Sequence, residues 1–344
     1  MTKYKLSDFD YDLPEDLIAQ YPADKRTHSR LMVVQRESGK IVVDKFYNIL
    51  KYLDSSYFMV MNRTKVIPAR LYGKKPTGGN VEILLLEEIN EKKWRALVKP
   101  GRRLKKGNKM IFGNGILKGK IIKQLPKGER IIKFDSARDF FSIIDEIGEI
   151  PLPPYIKRQA SARDETRYQT VFASQKGSVA APTAGLHFNK KLLKDFKENS
   201  INKAYVNLKI GLDTFRPVTT EDIEEHDIHS EFCQIEKQEA KKMNHALSSG
   251  KEILAIGTTT VRTLESFVEN STVNSGTKRT KLYIYPGYKF KIIDALLTNF
   301  HLPRSSLLML VTAFGGYDLI MKAYKKAVEG KFRFFSYGDA MLIL

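Results

Sequence analysis

The chain has 344 residues, with 58 Lys and Arg against 39 Asp and Glu, and a formal net charge of +19. That length allows two or three domains with a full core, and 42% hydrophobic with 28% charged residues is a globular composition, which excludes disordered, fibrous and peptide classes. One cysteine, Cys233, excludes a disulfide framework or a cysteine-based metal centre; a charged N-terminal stretch and the lack of an apolar run of about 18–20 residues predict a soluble cytoplasmic protein.

In chain order, LMVVQR (Leu31 to Arg36) and KIVVDKF (Lys40 to Phe46) read as a hairpin across Ser38-Gly39, followed by a short helix and the buried strand YFMVMN. From Ala69 to Phe134 the texture changes to short β-rich runs punctuated by glycine: ARLYG, NVEILLLEEI, KWRALVKPG, KMIFG, ILKGKIIKQL and ERIIKF. Runs at this spacing predict a small antiparallel barrel or sandwich over residues 67–148. After the proline-rich IPLPPYIKR, signals of the two kinds alternate. NKKLLKDFKEN predicts a helix, AYVNLKI and SEFCQIE strands, KQEAKKMNHALSSG a helix, EILAIG a buried strand, and TTTVRTLESFVEN a helix with Thr258 as N-cap. VNSGTKRTK reads as a loop, KLYIY as a strand, and SSLLMLVTAFGG and YDLIMKAYKKAVEG as helices. The predicted class is α/β: a discontinuous domain of residues 1–66 and 149–344, interrupted by the β-domain.

Residues 67–148 hold 19 Lys and Arg against 9 Asp and Glu, over half of the chain's excess charge. The densest part, KPGRRLKKGNK, contains Arg102, Arg103, Lys105 and Lys106 and no acid, as expected of either a phosphate-contacting loop or a solvated one. Phosphate-loop, HExxH and GxSxG motifs are absent, and GNGILKG is a hairpin turn.

Chemistry is expected where small, hydroxyl and histidine residues gather. GSVAAPTAGLHF (Gly177 to Phe188) includes Pro182, Thr183, Gly185 and His187, and lets backbone approach a ligand closely. HDIHSE places His229 and Glu231 two apart, so that on a strand they would share a face and the carboxylate could orient the imidazole for proton transfer. GTTTVR puts Thr258, Thr259 and Arg262 where a strand ends and a helix begins, a usual ligand position in α/β sheets. His301 and Asp339 lie in similar stretches, while His28 and His245 read as surface or structural. Nothing completes a metal site, so no metal is expected.

These same stretches, with DFDYDLPEDLIAQYP, RYQTVFA, TFRPV, IYPGYKFKIIDALLTNFHLPRSSLLMLV and RFFSYGDAML, resemble in order the S-adenosylmethionine:tRNA ribosyltransferase-isomerase family of queuosine biosynthesis. The resemblance implies an α/β domain with an inserted β-barrel, and a monomer that uses S-adenosylmethionine as a ribosyl donor. The ribosyl part would pass to the aminomethyl group of 7-aminomethyl-7-deazaguanine at the tRNA wobble position, giving epoxyqueuosine with release of adenine and methionine. On that reading His229, oriented by Glu231, is the expected general base, with His187 and Asp339 as alternatives. Arg262 would meet the methionine carboxylate, and residues 177–188 and 258–262 would line the pocket. The family pattern His-Val-Gly-x-Gly is here Lys209, Ile210, Gly211, Leu212 and Asp213, and Asn-Asp-Thr-Arg-Val is Asn62, Arg63, Thr64, Lys65 and Val66. A non-catalytic basic RNA-binding protein, or a different tRNA-modifying transferase on the same scaffold, are the rival readings.

Overall fold

The structure is a computed structural model that describes residues 4–90, 92–136, 138–211 and 218–344; Asp213 and most of the TFRPV stretch fall outside them. The strands are β1 (Arg30–Val34), β2 (Ile41–Lys45), β3 (Tyr57–Asn62), β4 (Thr64–Val66), β5 (Arg70–Lys74), β6 (Asn80–Asn90), β7 (Lys93–Lys99), β8 (Lys109–Phe112), β9 (Leu117–Gln124) and β10 (Glu129–Ser136). Helices α1 (Phe140–Ile147) and α2 (Ala162–Arg167), strand β11 (Gln175–Ser178), helix α3 (Lys190–Glu198) and strands β12 (Lys203–Leu208) and β13 (Glu231–Ile235) follow. Then come α4 (Lys237–Ser248), β14 (Glu252–Ile256), α5 (Thr258–Phe267), β15 (Val268–Glu269), β16 (Thr272–Val273) and β17 (Gly276–Thr280). The last elements are β18 (Ala295–Asn299), α6 (Ser306–Gly315), α7 (Tyr317–Glu329) and β19 (Ala340–Ile343).

Nine strands form one mixed sheet in the order β17-β13-β12-β3-β14-β18-β19-β1-β2, with β12, β3, β14 and β18 parallel to one another. The run YFMVMN is apolar throughout because its strand is covered on both faces. Phe58 and Val60 enter the core beneath α5 and α6, whereas Met59 and Met61 enter the opposite core with Phe188 and Phe196. Each such buried side chain contributes roughly 1.5–3 kcal/mol relative to exposure.

Strands β10-β7-β6-β5-β8-β9 close into a six-stranded barrel, with antiparallel pairing all round. Alternation along β6 and β7 sends Val81, Ile83, Leu85, Trp94, Ala96 and Val98 inward. Helix α1, capped by Asp139 Oδ2 accepting from Ser142 N at 2.8 Å, lays Phe140 against Trp94 with ring centroids 5.4 Å apart. All six β-runs read between Ala69 and Phe134 are strands of this barrel, and the fold class is the expected one.

Three local expectations fail. KLYIY is not a strand; the edge strand β17 is Gly276–Thr280, the segment read as loop, and it pairs antiparallel with β13. Its Lys278 and Arg279 hid it, although charged residues suit an edge strand. Beyond Thr280 the chain leaves the ladder, where Leu282 donates its N–H to Thr280 Oγ1 at 3.1 Å and its carbonyl accepts from Arg262 Nε at 3.0 Å. Thr258 is not an N-cap: Gly257, at φ +91°, makes the turn from β14, and Thr258 is the first helical residue. His229 is not on a strand with Glu231, because β13 begins at Glu231 and residues 226–230 have no regular structure.

Candidate active site between the sheet and the barrel

A cavity of about 780 Å³ lies beyond the carboxyl end of β12, against the barrel. The barrel wall is Leu86 to Ile89 of β6 with Arg95 and Lys127; the opposite wall contributes Gly177, Lys209, the segment His226 to Phe232, Arg262 and Arg279. Gly177 has φ +124°, a backbone conformation that residues with a side chain rarely adopt. Lys209 packs beside this glycine, with its Nζ 5.3 Å from the Phe232 ring centre.

Arg262 is the buried charge of the site. Its Nη1 donates to Glu231 Oε2 and its Nε to the Leu282 carbonyl, while Nη2 is buried without a partner. Both side chains are under a tenth exposed, so each depends on the other for its charge to be tolerated. His226 and His229 are half-buried on the same wall. Burial, with the neighbouring His229, lowers the His226 pKa, and the ring meets Tyr283 edge-on at 5.3 Å.

A smaller pocket of about 60 Å³ adjoins the cavity, sharing Ile210 and Leu307 with it. Pro182, Thr183, Thr258 and Thr259 line it beside Thr298 and His301. Asn62 braces this region: its Oδ1 accepts from Leu208 N and Thr64 N, and its Nδ2 donates to Thr259 Oγ1 at 3.2 Å.

The structure thus gathers His229, Glu231 and Arg262 in one cavity and Pro182, Thr183, Thr258 and Thr259 beside it. Other expected residues stand elsewhere. Gly185 is packed under Phe172 and Thr170, where a Cβ would meet both at 2.8 Å. His187 lines a separate pocket of about 20 Å³; its Nδ1 bonds Ser29 Oγ at 2.7 Å, and burial pushes its pKa down to about 4. Asp339 accepts from the backbone N–H groups of Arg30 and Arg333, each at 2.8 Å, and from Arg30 Nε at 3.2 Å. The glutamate beside the expected base has its described ion pair with Arg262.

The sequence model of the queuosine biosynthesis protein family matches residues 6–343. This chain belongs to that family. It is 52% identical over 342 residues to the S-adenosylmethionine:tRNA ribosyltransferase-isomerase of Halothermothrix orenii, covering 99% of this chain and 100% of the relative. It is 50% identical over 340 residues to the protein of the same name from Carboxydothermus hydrogenoformans, covering 99% and 100%. The crystal structure of the S-adenosylmethionine tRNA ribosyltransferase of Thermotoga maritima, 38% identical, matches 98% of this chain and all of that one with a TM-score of 0.57.

In this member of the queuosine biosynthesis family, the cavity also holds residues that sequence reasoning passed over, among them Arg279, Glu87, Arg95 and Lys127. No motif marks them; the barrel and the sheet edge meet only in three dimensions. The substituted Arg63 pairs with Glu236. Arg102, Arg103, Lys105 and Lys106 are exposed on the barrel. Their loop is pinned by the buried Arg130, whose three guanidinium nitrogens donate to the carbonyls of Leu104, Glu129 and Gly101, each at 2.9 Å. The charges therefore stand on a fixed platform. Among the described residues, no three His, Cys, Asp or Glu side chains gather as a metal site needs.

Proposed function

We propose that the chain transfers and isomerises the ribosyl moiety of S-adenosylmethionine onto the aminomethyl group of 7-aminomethyl-7-deazaguanine at the tRNA wobble position. The products are epoxyqueuosine tRNA, adenine and methionine. The observation that carries this reading is the cavity itself: a half-buried histidine and a buried arginine with a spare N–H face a barrel whose segment of the chain holds over half of the excess positive charge, in a chain matched end to end by relatives named for this activity. Residues 67–148 serve as a tRNA-facing barrel domain and residues 1–66 and 149–344 as the catalytic domain, acting as a monomer in the cytoplasm, where the tRNA is.

The sulfonium acidifies the adjoining 5′ carbon, and a base placed there opens the sugar chemistry. His229 is that base. Arg262, fixed by Glu231, turns its free Nη2 to the methionine carboxylate. The threonines and Pro182 of the adjoining pocket bind the remainder of S-adenosylmethionine, and the basic loop of the barrel meets tRNA phosphates. Incubation with S-adenosylmethionine and tRNA bearing the deazaguanine precursor should release free adenine. Intact tRNA binding without adenine release would make the chain a binding module instead.

A further inference from the structure

We infer that Arg279 is a positioning residue that holds the histidine segment of the cavity in place and couples it to the barrel. This deepens the proposed function and rests on it for the role of His229.

Residues 226–230 belong to no helix or strand, so no backbone ladder fixes them. Arg279, on the edge strand β17, grips their last residue twice. Its Nε donates to Ser230 Oγ and its Nη2 to the Ser230 carbonyl, both at 3.0 Å. The remaining Nη1 crosses the cavity to Glu87 Oε1 on barrel strand β6. The carboxylate it reaches is itself held, because Arg95 Nη1 lies 3.3 Å from Glu87 Oε2 and Arg95 Nε 3.2 Å from Glu129 Oε2. One planar guanidinium therefore ties the residue beside His229 to a chain of charges on the barrel. That takes three donors in a fixed fork, which an ammonium cannot supply with the same geometry. Elsewhere on the segment His226 donates its N–H to the Ile223 carbonyl at 3.3 Å and sets its ring against Tyr283, and Lys281 meets Asp227 at 3.0 Å between two largely exposed side chains; none of these three contacts reaches the barrel.

The conservative variant Arg279→Lys keeps the charge and loses the fork. It should lower the turnover of adenine release about ten- to a hundredfold with the KM for tRNA unchanged, as expected of a displaced reacting group. Independently of activity, the ring C–H resonance of His229, assigned by its loss in His229→Gln, should shift in the substrate-free Arg279→Lys protein. The exchange Glu87→Arg with Arg279→Glu rebuilds the ion pair across the cavity without the grip on Ser230, and should not restore turnover. A raised KM at normal turnover would make Arg279 a tRNA contact and overturn the inference. Full recovery in the exchanged protein, or an unmoved His229 resonance, would overturn it too. If the wild type releases no adenine, the proposed function falls, while the His229 resonance still tests the positioning.

Discussion

The cavity and the two smaller pockets treat histidine in opposite ways. His226 and His229 are half-exposed among charged side chains at the junction of sheet and barrel. His187 and His301 are buried, each bonded to a hydroxyl, Ser29 Oγ at 2.7 Å and Thr298 Oγ1 at 2.8 Å, and burial pushes their pKa values down to about 4 and about 3. A ring so sealed stays neutral at physiological pH and is a weak base. His301 lines the smaller pocket, but burial holds its ring neutral there, whereas the cavity pair is half-exposed where a proton could be exchanged.

The comparison breaks most sharply at His229. His229→Ala should slow adenine release about 10²–10⁴-fold, the range for loss of a general base, with tRNA affinity intact. Near-normal turnover would remove His229 from the mechanism. Next is the buried pair. Glu231→Ala leaves Arg262 charged and unpaired, so denaturant unfolding should show a loss of about 3–5 kcal/mol, with Glu231→Gln less affected. A loss below about 1 kcal/mol would show that water from the cavity already solvates the guanidinium.

The sealed side predicts a pH effect. With His187 at about 4 in the folded protein and near 6.5 when unfolded, the unfolded chain binds more protons in that window. Stability is therefore full above about 6.5 and falls as pH drops toward 4, by roughly 3 kcal/mol from this group. The melting temperature of His187→Gln should lose part of that slope, and an unchanged slope would assign it to His301 or the carboxylates. The smallest effect is expected on the platform. Replacing Arg102, Arg103, Lys105 and Lys106 by alanine should leave the chemistry of bound substrate intact. It should weaken tRNA binding and flatten its salt dependence by about 0.7–0.9 in logarithmic slope per lost phosphate contact. An unchanged slope would make the loop merely solvated.

The fold was largely readable from local pattern. The six glycine-punctuated β-runs became the six barrel strands, and the buried run YFMVMN became a central strand. Where local pattern misled, the chain's own side chains decided against it. KLYIY has a strand's composition, yet Arg262 takes the Leu282 carbonyl from any ladder, and polar GTKRT supplies the edge strand instead.

Of the site, local composition already marked the stretches in which small, hydroxyl and titratable residues would gather, because a backbone approached by a ligand needs such residues whatever surrounds it. It also placed the basic loop on the β-domain. Which charges meet is settled by folding: Arg262 pairs with Glu231 across 31 residues, and Arg279 reaches Ser230 across 49 and Glu87 across 192. Periodicity encodes neighbours within one element, whereas a guanidinium finds its carboxylate only after the barrel has closed and the sheet edge has come to lie beside it.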